Sequence, residues 1–166
     1  MPRGRARSPR SPRRGDGAGC GAAAPRAARY RWERGREGRS CADDPYVRHV
    51  VGRIAARAHA ARASVVLAAE TLERVRHTPD TEVRTAGATA AVAVAQAQYI
   101  AIESALKAAE LLFDVGGGSA TNREYAFDRR WRNARTVANH NPRDWKAAVV
   151  GAHHLAGEEP PTTGLF

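Results

Sequence analysis

Apolar residues recur along this chain at helical spacing from residue 44 onward, and no stretch alternates as a strand would. Val47, Val51, Ile54, Ala58, Ala61, Val65, Ala68, Leu72 and Val75 step by four and three without a slip. That spacing predicts a packing seam along one long helix of about eight turns. Arg48, Arg53, Arg57, Arg62, Glu70 and Glu73 fall mostly off the seam. Asp44 can cap the helix start, and Pro45 fits the first turn, where a missing N–H costs nothing. Thr78-Pro79-Asp80 ends it and turns the chain.

A second helix is predicted from about Thr81 to Phe113. It carries two apolar stripes, one through Val83, Ala90, Val94, Ala97, Ala101, Ala108 and Leu111. The other runs through Val92, Ala95, Tyr99, Ile102, Leu106, Ala109 and Phe113. A helix apolar on two sides is buried between neighbours, and its many alanines let those neighbours come close. Gly116-Gly117-Gly118 stops it by supplying positive φ where other residues strain.

Thr121-Asn122-Arg123-Glu124 fits the capping box of a third helix, with Tyr125, Phe127, Trp131, Ala134 and Val137 inward. Asn141-Pro142 repeats the cap-then-proline signal and predicts a fourth, with Trp145, Ala148, Val149, Ala152 and Leu155 inward and Gly157 at its end. Two long helices and two shorter ones joined by short turns predict an all-α, antiparallel four-helix bundle over residues 43–157.

Charge divides the chain at the same place. Of the net charge of +10, residues 1–41 carry +9 through twelve arginines, and the remainder is near neutral. Residues 1–42 are rich in Gly and Pro and almost empty of large apolar residues, so the expectation is a disordered tail. Residues 158–166 form a second, short tail. The roughly 125 residues beyond the Arg-rich segment can bury about two-thirds of their surface, enough for a core. Cys20 and Cys41 are too few and too far apart for a zinc site and are expected as free thiols in a reducing cytoplasm. No run approaches the roughly 18 uninterrupted apolar residues of a membrane span, and Arg13-Arg14 is followed by no apolar segment of a signal peptide.

Candidate chemistry is sparse. The glycine triplet admits two readings, a helix stop with a turn or a cradle of backbone N–H groups for a phosphate. It is no Walker loop, since no Gly-Lys-Ser/Thr comes after it. Arg123, Arg129, Arg130, Arg132 and Arg135 read as a solvated helix face or as a phosphate-binding one, and Asp128 can pair with Arg132 one turn on. Trp131 and Trp145 fall on inward stripes and are expected in the core. None of the six histidines has ligand spacing, so no metal is expected. His140 differs, because it stands at a helix break between Asn139 and Asn141.

The order LFDVGGGSA, then FDRRWRNARTVANHNPRDWK after two alanine-rich helices, resembles the C-terminal helical domain of the acyl-CoA dehydrogenase superfamily. Within it, the nearest likeness is to flavin-dependent monooxygenases of the dibenzothiophene monooxygenase type. The resemblance covers residues 43–166 and implies that the chain is about the final third of a flavoenzyme whose barrel and N-terminal domains lie elsewhere. On that reading the Arg-rich segment is a spurious or frameshifted start on a truncated gene, and the chain alone turns over no substrate. The resemblance implies a homo-oligomer, a tetramer built through the bundles.

Two departures from the dehydrogenase pattern choose among members. Where dehydrogenases carry Gln-x-x-Gly-Gly against the adenine nucleotide of FAD, this chain has Phe113 with Gly116 and Gly117, which implies FMN over FAD. Where many place a catalytic Glu after an Arg-Asp pair, it reads Arg132-Asn133 and then Asn139-His140-Asn141-Pro142. An amide cannot take an α-proton at neutral pH, so acyl-CoA dehydrogenation is disfavoured. A His here matches the monooxygenases. The resemblance therefore implies His140 as the catalytic acid–base group and Asn139, Asn141, Gly116 and Gly117 as flavin contacts. It further implies a flavin reductase as partner and a cytoplasmic location. A helical module binding nucleic acid through the basic tail is the competing class; it draws nothing from the near-neutral bundle.

Overall fold

The computed structural model describes residues 41–161. The Arg-rich segment with Cys20, and residues 162–166, lie outside the described residues, and so do the expectations placed on them. Four α-helices carry the fold: α1 over Pro45–Val75, α2 over Val83–Gly116, α3 over Asp128–His140 and α4 over Arg143–Ala156. Among the described residues there is no strand. The all-α arrangement is the one that the 3.6-residue periodicity predicts.

α1 starts as its sequence dictates. Asp44 accepts hydrogen bonds from the N–H groups of Tyr46 (2.8 Å) and Val47 (3.4 Å), and Pro45 occupies the first turn. α2 ends where Gly117 turns to φ 60°, and α4 ends at Gly157 with φ 68°, both in the region that favours glycine.

The helices do not close around one shared centre. α2 packs against all three others, α1 chiefly against α2. At one end Val47 and Val50 of α1 meet Leu111 and Val115 of α2 in a small buried cluster. From there α3 and α4 run back along α2 in sequence. Phe127 lies edge-on to Phe113 at 6.3 Å, Asn141 reaches Gln98, and Glu159 just past α4 pairs with Arg84. The two-sided apolar pattern of α2 is thereby explained, and Ala90, Ala95, Ala97 and Ala109 are its buried close-approach points. By length and composition α2 could also cross a membrane; here it is the element on which the others pack.

Several facings differ from expectation by a single residue. On α1 the covered line is Val47, Val50, Ile54, Arg57, Ala61, Ser64, Ala68, Thr71 and Val75, whereas Val51, Ala58, Val65 and Leu72 are exposed. Both lines share positions 47, 54, 61, 68 and 75, and periodicity alone does not separate them. Ser64 and Thr71 bond back to the carbonyls of Ala60 and Leu67, so covering them orphans no hydroxyl. On α4, Val149 and Ala152 are covered as expected, but Lys146, Val150 and His153 are covered too, while Trp145 is 64% and Leu155 91% exposed. On α3, Ala138 is buried and Val137 and Trp131 are not. Trp131 and Trp145 are therefore not core residues.

Two caps also differ. Asn122 accepts from the N–H of Glu124 at 3.1 Å, but the element it caps is a single 3-10 turn, Arg123–Tyr125. Ala126, at φ 47°, ends that turn, and α3 starts only at Asp128. Asn141 does not cap α4, where Pro142 holds the cap position with no side-chain bond; it is the C-cap of α3, its N–H donating to the Val137 carbonyl at 3.5 Å.

Candidate functional site

The break between α3 and α4 is held from α2 at two points. Gln98 Nε2 donates to the Asn141 carbonyl at 3.3 Å. Arg143, at the start of α4, forms an ion pair with Glu103, just over one turn further along α2. These ties fix the backbone of 140–143 across an extended residue, Asn141, at φ −124° and ψ 93°.

Over the break lies an open depression of about 640 Å³, lined by Gln98, Ala101, Ile102, Val137, His140 and Asn141, with Thr136 at its edge. Its floor is apolar and no carboxylate lines it. His140 is exposed at its margin. The Asn141 Oδ1 is buried and has no hydrogen-bond partner. An orphaned buried acceptor costs on the order of 1–3 kcal/mol. Asn139 is exposed one residue earlier on α3 and does not line the depression.

The glycine turn is elsewhere. Gly116 is the last, buried residue of α2, and Gly117–Thr121 form a 3-10 turn. It lies beyond the start of α3, whereas His140 is at that helix's end, twelve residue steps or about 18 Å along the axis. His140, Asn141 and Gln98 are thus brought together; Gly116 and Gly117 do not join them. The turn succeeds a helix C-terminus, where the dipole end is negative, and the next element is a single tight turn rather than a long helix.

The basic face of α3 is largely local. Asp128 pairs with Arg132 at 3.1 Å, as the spacing predicts, and the Arg135 guanidinium stands 6.0 Å from the Trp131 ring. Among the other histidines, His77 faces Glu73 at 3.4 Å, His154 faces Gln96 at 3.2 Å, and His153 faces the Glu158 carbonyl at 3.0 Å. No group of three metal-ligating residues occurs among the described residues. Gln98 is the site residue that sequence reasoning misses, and Lys146, outside the depression, is a buried residue that it also misses. Lys146 is only 2% exposed, and burial pushes its amine below the usual lysine range. A polar residue on an apolar stripe is the available signal for Gln98. Lys146 gives none, because the apolar residues around it suggest a seam one position away.

Comparison with known proteins places the fold in a family. The acyl-CoA dehydrogenase C-terminal domain family matches residues 17–145. The chain belongs to that family. The match begins inside the Arg-rich segment, upstream of Asp43, so the likeness reaches further toward the N-terminus than the motifs alone imply. The dibenzothiophene monooxygenase of Rhodococcus erythropolis is 33% identical over 118 residues, which is 71% of this chain and 28% of that protein. A probable FMNH2-dependent monooxygenase, SfnC of Pseudomonas putida, is 30% identical over 121 residues, 73% of this chain and 31% of that one. Among solved structures, methanesulfinate monooxygenase MsuC from Pseudomonas fluorescens superposes with a TM-score of 0.70 at 28% identity, over 82% of this chain and 37% of that one. FMN-bound TdsC from Paenibacillus sp. A11-2 gives 0.68 at 26% identity, over 84% and 36%. The chain thus spans about 28% of the length of the first of these relatives. What it shares with them is the C-terminal helical domain.

Proposed function

We propose that this chain is the C-terminal helical part of an FMNH2-dependent monooxygenase, with the His140–Asn141 break turned toward the flavin. The observation that carries the reading is a depression that offers an imidazole and an orphaned amide oxygen but no carboxylate. Such a lining suits oxygen chemistry and leaves α-proton abstraction without a base. The flavin, when bound, supplies the electrons with which oxygen is activated.

The chain's own residues would do the rest. His140 holds or delivers a proton at the reacting centre, the general acid–base role that an imidazole can fill. Asn141 Oδ1 accepts from an N–H of the flavin ring or of the ligand, and Asn139 orients the ligand from the exposed flank of α3. Ala101, Ile102 and Val137 keep water from the floor. FMN is favoured over FAD because Phe113 packs edge-on against Phe127 where a nucleotide-binding amide would be needed. Gly116 and Gly117, a helix length from His140, serve the flavin of a neighbouring copy in a homotetramer. A flavin reductase supplies the reduced cofactor, in the cytoplasm.

The test uses a complete enzyme carrying this domain. His140→Ala should leave flavin binding intact and lower oxygenation by on the order of 10²-fold or more, the usual worth of a general acid or base. Unchanged turnover would remove His140 from the reaction. The chain by itself, given reduced FMN, is expected to turn over no substrate.

A further inference from the structure

A second hollow, of about 830 Å³, lies toward the opposite end of α3 from the His140 break. Its floor is one face of α2, where Ala105, Ala108 and Leu112 stand at helical spacing, and Ile54 of α1 closes a side. Side chains at such spacing share a face, and the two alanines leave it low and apolar. Tyr125 and Phe127 form another wall, their rings stacked at 5.9 Å. Ala126 between them is held at φ 47°, a left-handed conformation that is unfavourable for a residue with a side chain. Outliers of this kind gather where a chain is shaped around a ligand.

The rim of the hollow is cationic. Arg129, Arg130 and Asn133 of α3 line it, and no Asp or Glu is among the lining residues. Those three side chains make no hydrogen bond or ion pair among the described residues, and the adjacent Asp128 is taken up by Arg132. A guanidinium fork matches a carboxylate in a bidentate contact. The backbone N–H groups of Arg129 and Arg130 are already given to the carbonyls of Ala126 and Phe127. The start of α3 therefore adds no cradle of the kind that a phosphate uses. A planar ring suits the wall, because aromatic pairs gain beyond the area they bury.

We propose that this hollow binds an aromatic carboxylate, its ring between the α2 alanines and the Tyr125–Phe127 wall and its head on Arg129 and Arg130. The volume is toward the upper end of the range for small-molecule sites and takes a fused bicyclic acid. The site uses none of His140, Asn139, Asn141, Gly116 or Gly117, so its test and that of the flavin reading succeed or fail separately.

The experiment titrates the full chain, labelled with ¹⁵N, with 2-naphthoate and separately with its neutral amide, following the backbone amides of Ala105, Ala108, Ala126 and His140. Saturable shifts are expected at the three alanines and not at His140, the acid binding about 10-fold more tightly than the amide. Arg129→Gln and Arg130→Gln together, at exposed positions, should weaken the acid by about 10-fold as well. Ala105→Leu, on the exposed edge of the floor, keeps both charges and nearly the same helix propensity. It should abolish the shifts at unchanged helicity. Absence of saturation at millimolar naphthoate overturns the proposal. So does equal binding of the amide, a set of shifts centred on His140, or undiminished binding by the folded double variant.

Discussion

α1 and α2 are similar in length and alanine content but stand in different surroundings. α2 lies among three helices and buries Ala90, Val92, Ala95, Ala97, Ile102, Ala109, Leu111 and Val115. α1, packed chiefly on α2, buries Val47, Val50 and Ala68, and leaves Val51, Val65, Val66, Leu67 and Leu72 between 44% and 58% exposed. A single neighbour covers about one stripe of a helix. α1 therefore carries more apolar surface than α2 covers. The difference teaches that α2 is covered on several sides within the described residues, whereas α1 is covered on one.

The comparison is broken most directly by equal truncations on the two helices. Leu111 is 1% exposed, inside the cluster with Val47, Val50 and Val115, and Leu111→Ala should cost about 2–5 kcal/mol in urea unfolding. Leu67, 58% exposed on α1, should lose no more than about 0.5 kcal/mol on the same substitution. Similar losses at both positions would mean that α1 is already covered in solution.

A smaller effect sharpens the role of α1's own ends. Asp44 accepts from two backbone N–H groups at the head of a 31-residue helix, so Asp44→Ala should cost about 1 kcal/mol. Thermal melts of the two proteins measure it. A negligible loss would indicate that the first turn is held by contacts other than its cap.

How far the sequence specified these features depends on what each one rests on. Helix number, order and most boundaries were legible because periodicity, Asp44-Pro45, the glycine triplet and Gly157 are local signals. Facing was less legible. On α1 the lines through Val50 and through Val51 differ by one residue and share five positions, and only packing on α2 chooses between them. The same one-residue slip placed Trp145 inside where the structure has Lys146, while Val149 and Ala152 face inward as expected and Leu155 does not. The capping-box pattern at Thr121–Glu124 was locally correct yet capped one 3-10 turn, because Ala126 in a left-handed conformation interrupts the helix. At the candidate site, His140 and Asn141 stood out as a helix break. Gln98 did not, since it reaches Asn141 across 43 positions of sequence. The glycine turn and His140 read as one site in sequence and lie a helix length apart in space.

The smallest expected effect concerns how the end of the chain's last helix is tied to the start of α2. Glu159 takes three contacts from Arg84, between 2.7 and 3.1 Å. The Arg84 hydrogen bond, and then its charge, hold the Glu159 carboxyl below the usual carboxylate range, and the same pair raises Arg84. A depressed acid stabilises the fold above its unfolded value, here 4.5, and that contribution is lost as pH falls through the folded value. Both side chains are more than half exposed, so water and salt screen the pair strongly. Glu159→Gln should therefore leave the melting temperature at pH 7 nearly unchanged. It should also flatten a shallow acid-side decline in low salt, a difference that vanishes in 1 M salt. A large, salt-insensitive loss at pH 7 would instead make this bridge a structural clamp, and α4 would then owe its position on α2 to charge rather than to the packing of Val149, Val150 and Ala152.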